Sequence, residues 1–406
     1  MPRPIVPAAA AAMVLLASCS MIHDEEPAQL GKIALRSELE TPTPDIPPTR
    51  EFTIVATGDI LLHPPLWDQA RDDADAGADA MDFTPQLASI APIVSAADLS
   101  ICHLETPLAP AGGAYAGYPR FAAPPQIVPA LADTGYTACT LASNHTFDQG
   151  ADGVDRTLDA LRSQGIATVG AARTEADDEP TLIEVSTDAG PVAVGLVAYT
   201  FSFNGIPFPD GDTWRSNLIG EECVFGAACA DAAATILADA ATAREVGAEV
   251  VIVSLHWGDE YVHDPNAFQL ELAAALLDSP DVDLILGHHA HWVQPMENID
   301  GEWVVYGMGN LMAGHATQNQ PLREGLLVRF TLAEALDTGE FTTSVAEYLP
   351  VYQTYDDPRR VVDVPAELDS GDPAESADRL QTAFDRTTEV VGSRGAFDDG
   401  LTLLTE

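Results

Sequence analysis

Seven of the ten histidines in this 406-residue chain fall in five short polar clusters, each with a carboxylate or amide nearby. They read Gly58-Asp59-Ile60-Leu61-Leu62-His63, His103-Leu104-Glu105-Thr106, Ser143-Asn144-His145, His256-Trp257-Gly258-Asp259-Glu260 and Gly287-His288-His289-Ala290-His291. Asp, Glu, Asn and His are ligands for borderline and hard divalent cations, and no thiolate joins them. Zinc, manganese or iron on mixed nitrogen and oxygen ligands therefore fits better than an iron–sulfur or structural zinc centre. A pair of such ions needs imidazoles for each and a carboxylate to bridge, and together they clamp the attacking and leaving oxygens of a displacement. Asp59, Glu105, Asn144, His256, His289 and His291 are the candidate ligands for two divalent ions. His289 and His291 alternate, so on a strand both would face one side. His145 follows Asn144 directly and is the candidate general acid, with Asp148 spaced to orient its ring. His63, His103 and His288 stay open between ligand and outer support, while His263 and His315 read as surface residues.

Each cluster closes an apolar run. Residues 52–57, 98–104, 136–141, 250–255 and 282–286 read as strands, and 149–164, 230–246 and 267–277 as helices between them. Shorter helices fit around Ile90, Ile93 and Val94 and over 127–131. A hairpin fits 181–185 and 192–199, turning at Asp188-Ala189-Gly190, and late strands fit 303–306, 325–332 and 344–351. The alternation argues an α/β fold in which ligands bind at the carboxyl ends of the strands, where all five clusters would meet.

Charge narrows the partners. Eighteen basic against 63 acidic residues give a net charge of −45, and Lys32 is the one lysine. Such a surface repels nucleic acid and anionic lipid headgroups. Arg120, in a Gly-rich segment with Tyr115 and Tyr118, is the candidate for an anionic substrate group, because a guanidinium matches carboxylate or phosphate geometry. Glu260, Tyr261 and Asn310 complete the expected substrate contacts.

The first residues set the compartment. Arg3 precedes an apolar run over 8–16 that is too short to span a bilayer, and Leu16-Ala17-Ser18-Cys19 follows. This resembles a bacterial lipoprotein signal, which implies cleavage before Cys19, lipidation of its thiol, and an exported, cell-envelope protein held to the membrane by a lipid anchor only. The organisation expected is a signal over 1–19, a Pro-rich tether over 20–50, a catalytic-type domain over 51–355, and an acidic C-terminal segment over 356–406 with one amphipathic helix at 376–391. Of the remaining cysteines, Cys223 and Cys229 are close enough for a local bridge. Cys102 and Cys139 lie in neighbouring apolar strands as free thiols or as a bridged pair.

Six segments in order resemble the CapA family, named for poly-γ-glutamate capsule synthesis and related to calcineurin-like metallophosphoesterases. They are Thr57-Gly58-Asp59, Leu104 to Leu108, Asn144 to Gly150, His256 to Tyr261, Gly287 to His291 and Tyr306 to Asn310. The resemblance covers roughly Phe52 to Val351. It implies a four-layer α/β/β/α sandwich, two facing mixed sheets flanked by helices, with metals at the strand ends. It also implies a hydrolase of phosphoester or related bonds, or else a non-catalytic factor binding the polymer for export. Either would work with capsule synthesis machinery on an envelope polymer. The chain departs from the wider pattern at Ile60 and Leu61, where Asp-x-His is usual, and at His103, Ser143, Ala290 and Gly307.

Overall fold

The computed structural model describes residues 49–75, 77, 80–220, 230–315 and 319–405. Cys19, the tether to residue 48, and the Cys223 and Cys229 pair lie outside them.

The first sheet contains β1 (Glu51–Leu61), β2 (Leu99–Leu104), β3 (Ala138–Thr140), β4 (Ala167–Val169), β11 (Asn310–Ala313), β12 (Glu324–Glu334), β13 (Phe341–Gln353), β14 (Val361–Asp363) and β15 (Thr402–Leu403). Its order is β14-β13-β12-β1-β2-β3-β4, with β11 beside β1 and β15 beside β13. β1 to β4 run parallel, and β12 meets β1 antiparallel. The second sheet orders β5 (Thr181–Thr187), β6 (Gly190–Thr200), β7 (Val250–His256), β8 (Leu284–His288), β10 (Glu302–Val305) and β9 (Met296–Ile299). β6, β7 and β8 are parallel.

Period-two alternation explains the layers. In β1, Ile54 and Ala56 face a core shared with Ile252 and Leu286, while Val55 faces the opposite side. In β7, Val250 and Ile252 join that shared core, whereas Val251, Val253 and Leu255 pack on helices α6 (Ala230–Glu245) and α7 (Ala267–Leu277) through Ile236, Leu272 and Leu276. Burial on both faces is why these strands read as unbroken apolar runs. The far side of the first sheet is covered by α1 (Pro64–Asp73), α2 (Thr84–Leu87), α3 (Ala91–Ala96), α4 (Ile127–Thr134) and α5 (Gly150–Ser163). Two facing mixed sheets between helical layers are thus the fold.

Residues 356–406 hold more than the single helix expected. Besides α9 (Ala377–Gly392) there is α8 (Val364–Asp369), and β14 and β15 both pair with β13. Elements this short carry too few apolar residues to show a period. Cys102 and Cys139 are register partners on β2 and β3, with Cα atoms 4.5 Å apart, and form a disulfide. No helix among the described residues is long and apolar enough to cross a membrane.

Two glycines let the chain close around the strand ends. A side chain at Gly58 would strike the backbone oxygens of Met308 and Gly309, and one at Gly287 would strike that of Tyr306. The 306–310 segment therefore passes directly against β1 and β8, and Asp59 N donates to Gly309 O at 2.8 Å.

Candidate metal centre

The parallel strands deliver the clusters to one edge. Asp59 ends the straight part of β1 and is the register partner of both His103 on β2 and Asn310 on β11. Glu105 follows β2, Asn144 and His145 follow β3, and His256 and His288 end β7 and β8 as register partners. All are buried.

The contacts form one connected set. Asp59 Oδ1 lies 2.8 Å from His288 Nδ1, and Asp59 Oδ2 accepts from the His289 backbone N–H at 3.1 Å. His291 Nδ1 lies 3.3 Å from Asp59 Oδ2. His103 Nε2 and His256 Nδ1 are 3.0 Å apart, and His256 Nε2 is 3.1 Å from Asn144 Oδ1. Glu105 Oε1 stands 3.8 Å from His291 Nε2 and 3.9 Å from His256 Nε2. Three groups bring ligand atoms within 4.8 Å of one another: Asp59, His103 and His288; Asp59, Glu105 and His291; and Glu260, His289 and His291.

Glu105 tests whether a cation fits. The residue is 1 % exposed, and neither carboxylate oxygen has a hydrogen-bond partner. A buried ionised carboxylate left so costs several kcal/mol unless a cation or proton balances it. Burial accordingly raises Glu105 to about 7, with His291 acting against it. Burial alone would raise Asp59 too, but its hydrogen bonds to His288 and His291 hold it well below the usual carboxylate range. Burial pushes His103 and His256 well below the ordinary imidazole value and takes His289 to about 3, so these rings are neutral and have lone pairs to give. At His291 burial is outweighed by Glu105 and Asp59, which raise it to about 9. The set of buried carboxylates and imidazoles, without thiolate, fits divalent first-row ions.

Above this cluster opens a cavity of about 700 Å³ lined by Tyr118, Pro119, Arg120, Asn144, His145, Asp148, Asn204, Ile206, Glu260 and Tyr261. His145 Nδ1 lies 2.7 Å from Asp148 Oδ2, which also accepts from the Phe121 backbone N–H at 2.7 Å. With Nδ1 engaged, the other edge of the ring is left to move a proton. Arg120 and Tyr261 line the same space.

Several residues sit differently from expectation. His289 and His291 are not on a strand: β8 stops at His288, and both take left-handed backbone, with φ of 87° and 54°. Such strain in non-glycine residues concentrates at functional sites. Asn310, expected at substrate, is buried. Its Oδ1 lies 3.0 Å from His291 Nδ1, and its Nδ2 donates to His291 O and Leu322 O, so it positions His291 instead. Glu260 joins the His289 and His291 group as well as the cavity wall. His63 Nδ1 binds Leu61 O at 3.0 Å, and its ring stands 4.4 Å from that of His315. His315 is therefore not a free surface residue. It reaches within 6.0 Å of the His291 ring, because β11 pairs with β1 and carries the following segment back to the site. No local motif announces that return. His263 is half-buried, with Nδ1 2.7 Å from Val293 O.

Residues 53–315 match the family described as bacterial capsule synthesis protein PGA_cap. The PGA biosynthesis protein CapA of Bacillus subtilis is 28 % identical over 214 residues, covering 53 % of this chain and 51 % of that protein. A probable polyglutamine synthesis accessory protein of Mycobacterium tuberculosis is 30 % identical over 240 residues, covering 56 % of this chain and 60 % of its own length. The chain thus spans about half the length of the curated relatives it matches. Among solved structures, the calcineurin-like phosphoesterase YfkN of Bacillus subtilis superposes with a TM-score of 0.44 at 18 % identity, covering 84 % of this chain and 98 % of that one.

Proposed function

The chain belongs to the family of the bacterial capsule synthesis protein PGA_cap, and on that premise we propose that it is a metal-dependent hydrolase acting on a phosphoester or related bond in capsule or envelope polymer metabolism. The observation that carries this reading is the unpartnered, buried Glu105 carboxylate with imidazoles around it, in a cluster whose Asn144 and Glu260 line the cavity that His145 and Asp148 also line. Asp59, Glu105, His103, Asn144, His256, His288, His289 and His291, with Glu260 at the rim, are the side chains that would hold two divalent cations of manganese, zinc or iron. Bound there, such ions supply Lewis-acid activation for a hydrolytic displacement. The chain's own residues do the rest. Arg120 attracts an anionic substrate group into a molecule of net charge −45. Asp148 fixes the ring of His145, which delivers a proton to the leaving oxygen.

The same proposal places the protein outside the cytoplasm, tethered through a lipid on Cys19. The Leu16 to Cys19 sequence supports this, and the Cys102–Cys139 disulfide suits an oxidising compartment. Cys19→Ala should move the protein from the membrane to the soluble fraction of a bacterial host.

The deciding experiment pairs elemental analysis of the purified chain with hydrolysis of a simple phosphodiester in added manganese. About two equivalents of metal and a rate that chelation abolishes are expected. Stoichiometric metal without turnover on any phosphoester or acyl substrate would reject the hydrolase and leave a polymer-binding factor. Absence of metal under every loading condition would reject the centre itself.

A further inference from the structure

A second polar pocket lies beside α9 and shares no lining residue with the large cavity. Its volume is about 60 Å³, and Gln320, Arg323, Tyr352, Tyr355 and Arg379 line it. One water needs roughly 10–15 Å³ of such space, so the pocket seats a few heavy atoms rather than a polymer.

Arg323 dominates it. The residue is 2 % exposed, and its guanidinium lies 4.4 Å from the centre of the Tyr355 ring. Nη1 donates to Thr354 O at 3.4 Å and Nη2 to His315 O at 3.0 Å, whereas the buried Nε has no partner. Among the described residues no carboxylate lies within ion-pair distance of this guanidinium. The adjoining Ala316, Thr317 and Gln318 carry none either. Burial pushes Arg323 below the ordinary guanidinium value, and Arg359 adds to the push. A guanidinium does not neutralise itself in a protein, so a buried one calls for an anion.

The surrounding charges do not supply it. Glu375 is committed to Arg379 at 3.0 Å and to the backbone N–H groups of Tyr355 and Ser376, each at 2.9 Å. Arg359 pairs with Asp357 at 3.2 Å. Glu375 and Asp356 act on this pair of guanidiniums from a distance, but among the described residues no carboxylate touches Arg323. In a chain with 18 basic residues against 63 acidic ones, two guanidiniums on one small cavity are not a product of abundance.

We propose that this pocket is a binding site for a small oxyanion of the inorganic phosphate class, held by the Arg323 and Arg379 guanidiniums that line it. The planar edge of a guanidinium presents parallel N–H groups that match two oxygens of such an anion. The site stands independently of the hydrolase reading.

The test uses the full chain, chelated and then dialysed so that cations play no part. Thermal unfolding is followed in rising sodium phosphate against sodium chloride at matched ionic strength. A saturable, phosphate-specific rise in midpoint is expected for the wild type and equally for His145→Ala, a variant of the large cavity. Arg379→Gln should weaken the apparent affinity by about tenfold or more, the usual loss for a charged contact. The Arg379 side chain is 41 % exposed, and an unchanged midpoint without phosphate checks that this variant folds. No phosphate-specific rise in the wild type would overturn the proposal, as would a rise that Arg379→Gln leaves intact.

Discussion

His288 Nδ1 stands 2.8 Å from Asp59 Oδ1, joining the end of β8 in one sheet to the end of β1 in the other. This buried pair helps hold the Asp59 carboxylate ionised and fixes its second oxygen against the His289 N–H. His288→Ala removes one partner and strands the other. Breaking a buried pair costs about 3–5 kcal/mol, so denaturant unfolding should show a loss of that order. His63→Ala, whose ring binds only a backbone carbonyl, should cost less. Equal stabilities for the two variants would remove His288 from its bracing role.

Glu105 makes a prediction of opposite sign in the presence and absence of metal. In metal-free protein the buried carboxylate accepts no hydrogen bond and has the His291 ring, 3.8 Å away, acting against its burial. Replacing it with the neutral amide in Glu105→Gln should stabilise that form by about 1–3 kcal/mol, the scale of a buried polar group's desolvation penalty. The same change removes a charged ligand, so metal should stabilise the variant less than the wild type. Unfolding midpoints with and without manganese test both halves. A variant less stable in the chelated state would show that Glu105 is satisfied without a cation.

The strand ends were legible because each polar cluster stops an apolar run, and α/β sheets gather such ends. The positions of Asp59, Glu105, Asn144 and His256 follow from that rule alone, whereas His288, open between ligand and outer support in the sequence, is placed against Asp59 by the meeting of the two sheets. What the rule missed has tertiary causes. His103 is neither bystander nor free ligand by spacing; its place beside His256 comes from the approach of the two sheets. His289 and His291 converge through left-handed backbone that no alternation foretells. His315 arrives because β11 folds back on β1, a pairing of residues some 250 apart in sequence. Asn310, expected as a substrate contact, instead carries its amide under His291.

His145 and Asp148 separate chemistry from metal holding. Their 2.7 Å contact orients the ring beside the cavity. His145→Ala should lower the turnover of a phosphodiester by about 10²–10⁴-fold, the usual contribution of a positioned acid. Metal content should not change. Asp148→Asn should lower turnover less and displace the pH profile, because the ring stays but loses the carboxylate that sets its tautomer. It also tests structure, since Asp148 holds the Phe121 N–H. If His145→Ala lost metal along with activity, the residue would be a ligand rather than the acid.

The imidazole cluster sets the acid limit of the metal-free protein. In the unfolded chain these rings take protons near the ordinary value of 6.5, whereas in the fold burial depresses His103 and His256 well below it and His289 to about 3. Below about pH 6.5 the unfolded state therefore binds more protons than the folded one, and stability must fall as pH drops. Asp59, held below its ordinary range, acts in the same direction at lower pH. Glu105, raised to about 7, works against them, since ionising it in the fold costs stability as pH rises from its ordinary value of 4.5. Three rings and one carboxylate oppose that single group. At the alkaline side, His291 is raised to about 9, so its contribution is complete below 6.5 and is lost as pH climbs through 9. Denaturant unfolding of the chelated protein should thus give greatest stability near pH 6.5, with a fall on the acid side and a shallower decline toward pH 9. Saturating manganese should steepen the acid limb, because protons then compete with the cation for the same nitrogens. A chelated protein whose stability stayed level from pH 7 to pH 4 would mean that the rings are not held neutral in the fold, and the cluster would lose its claim to be ready for a cation.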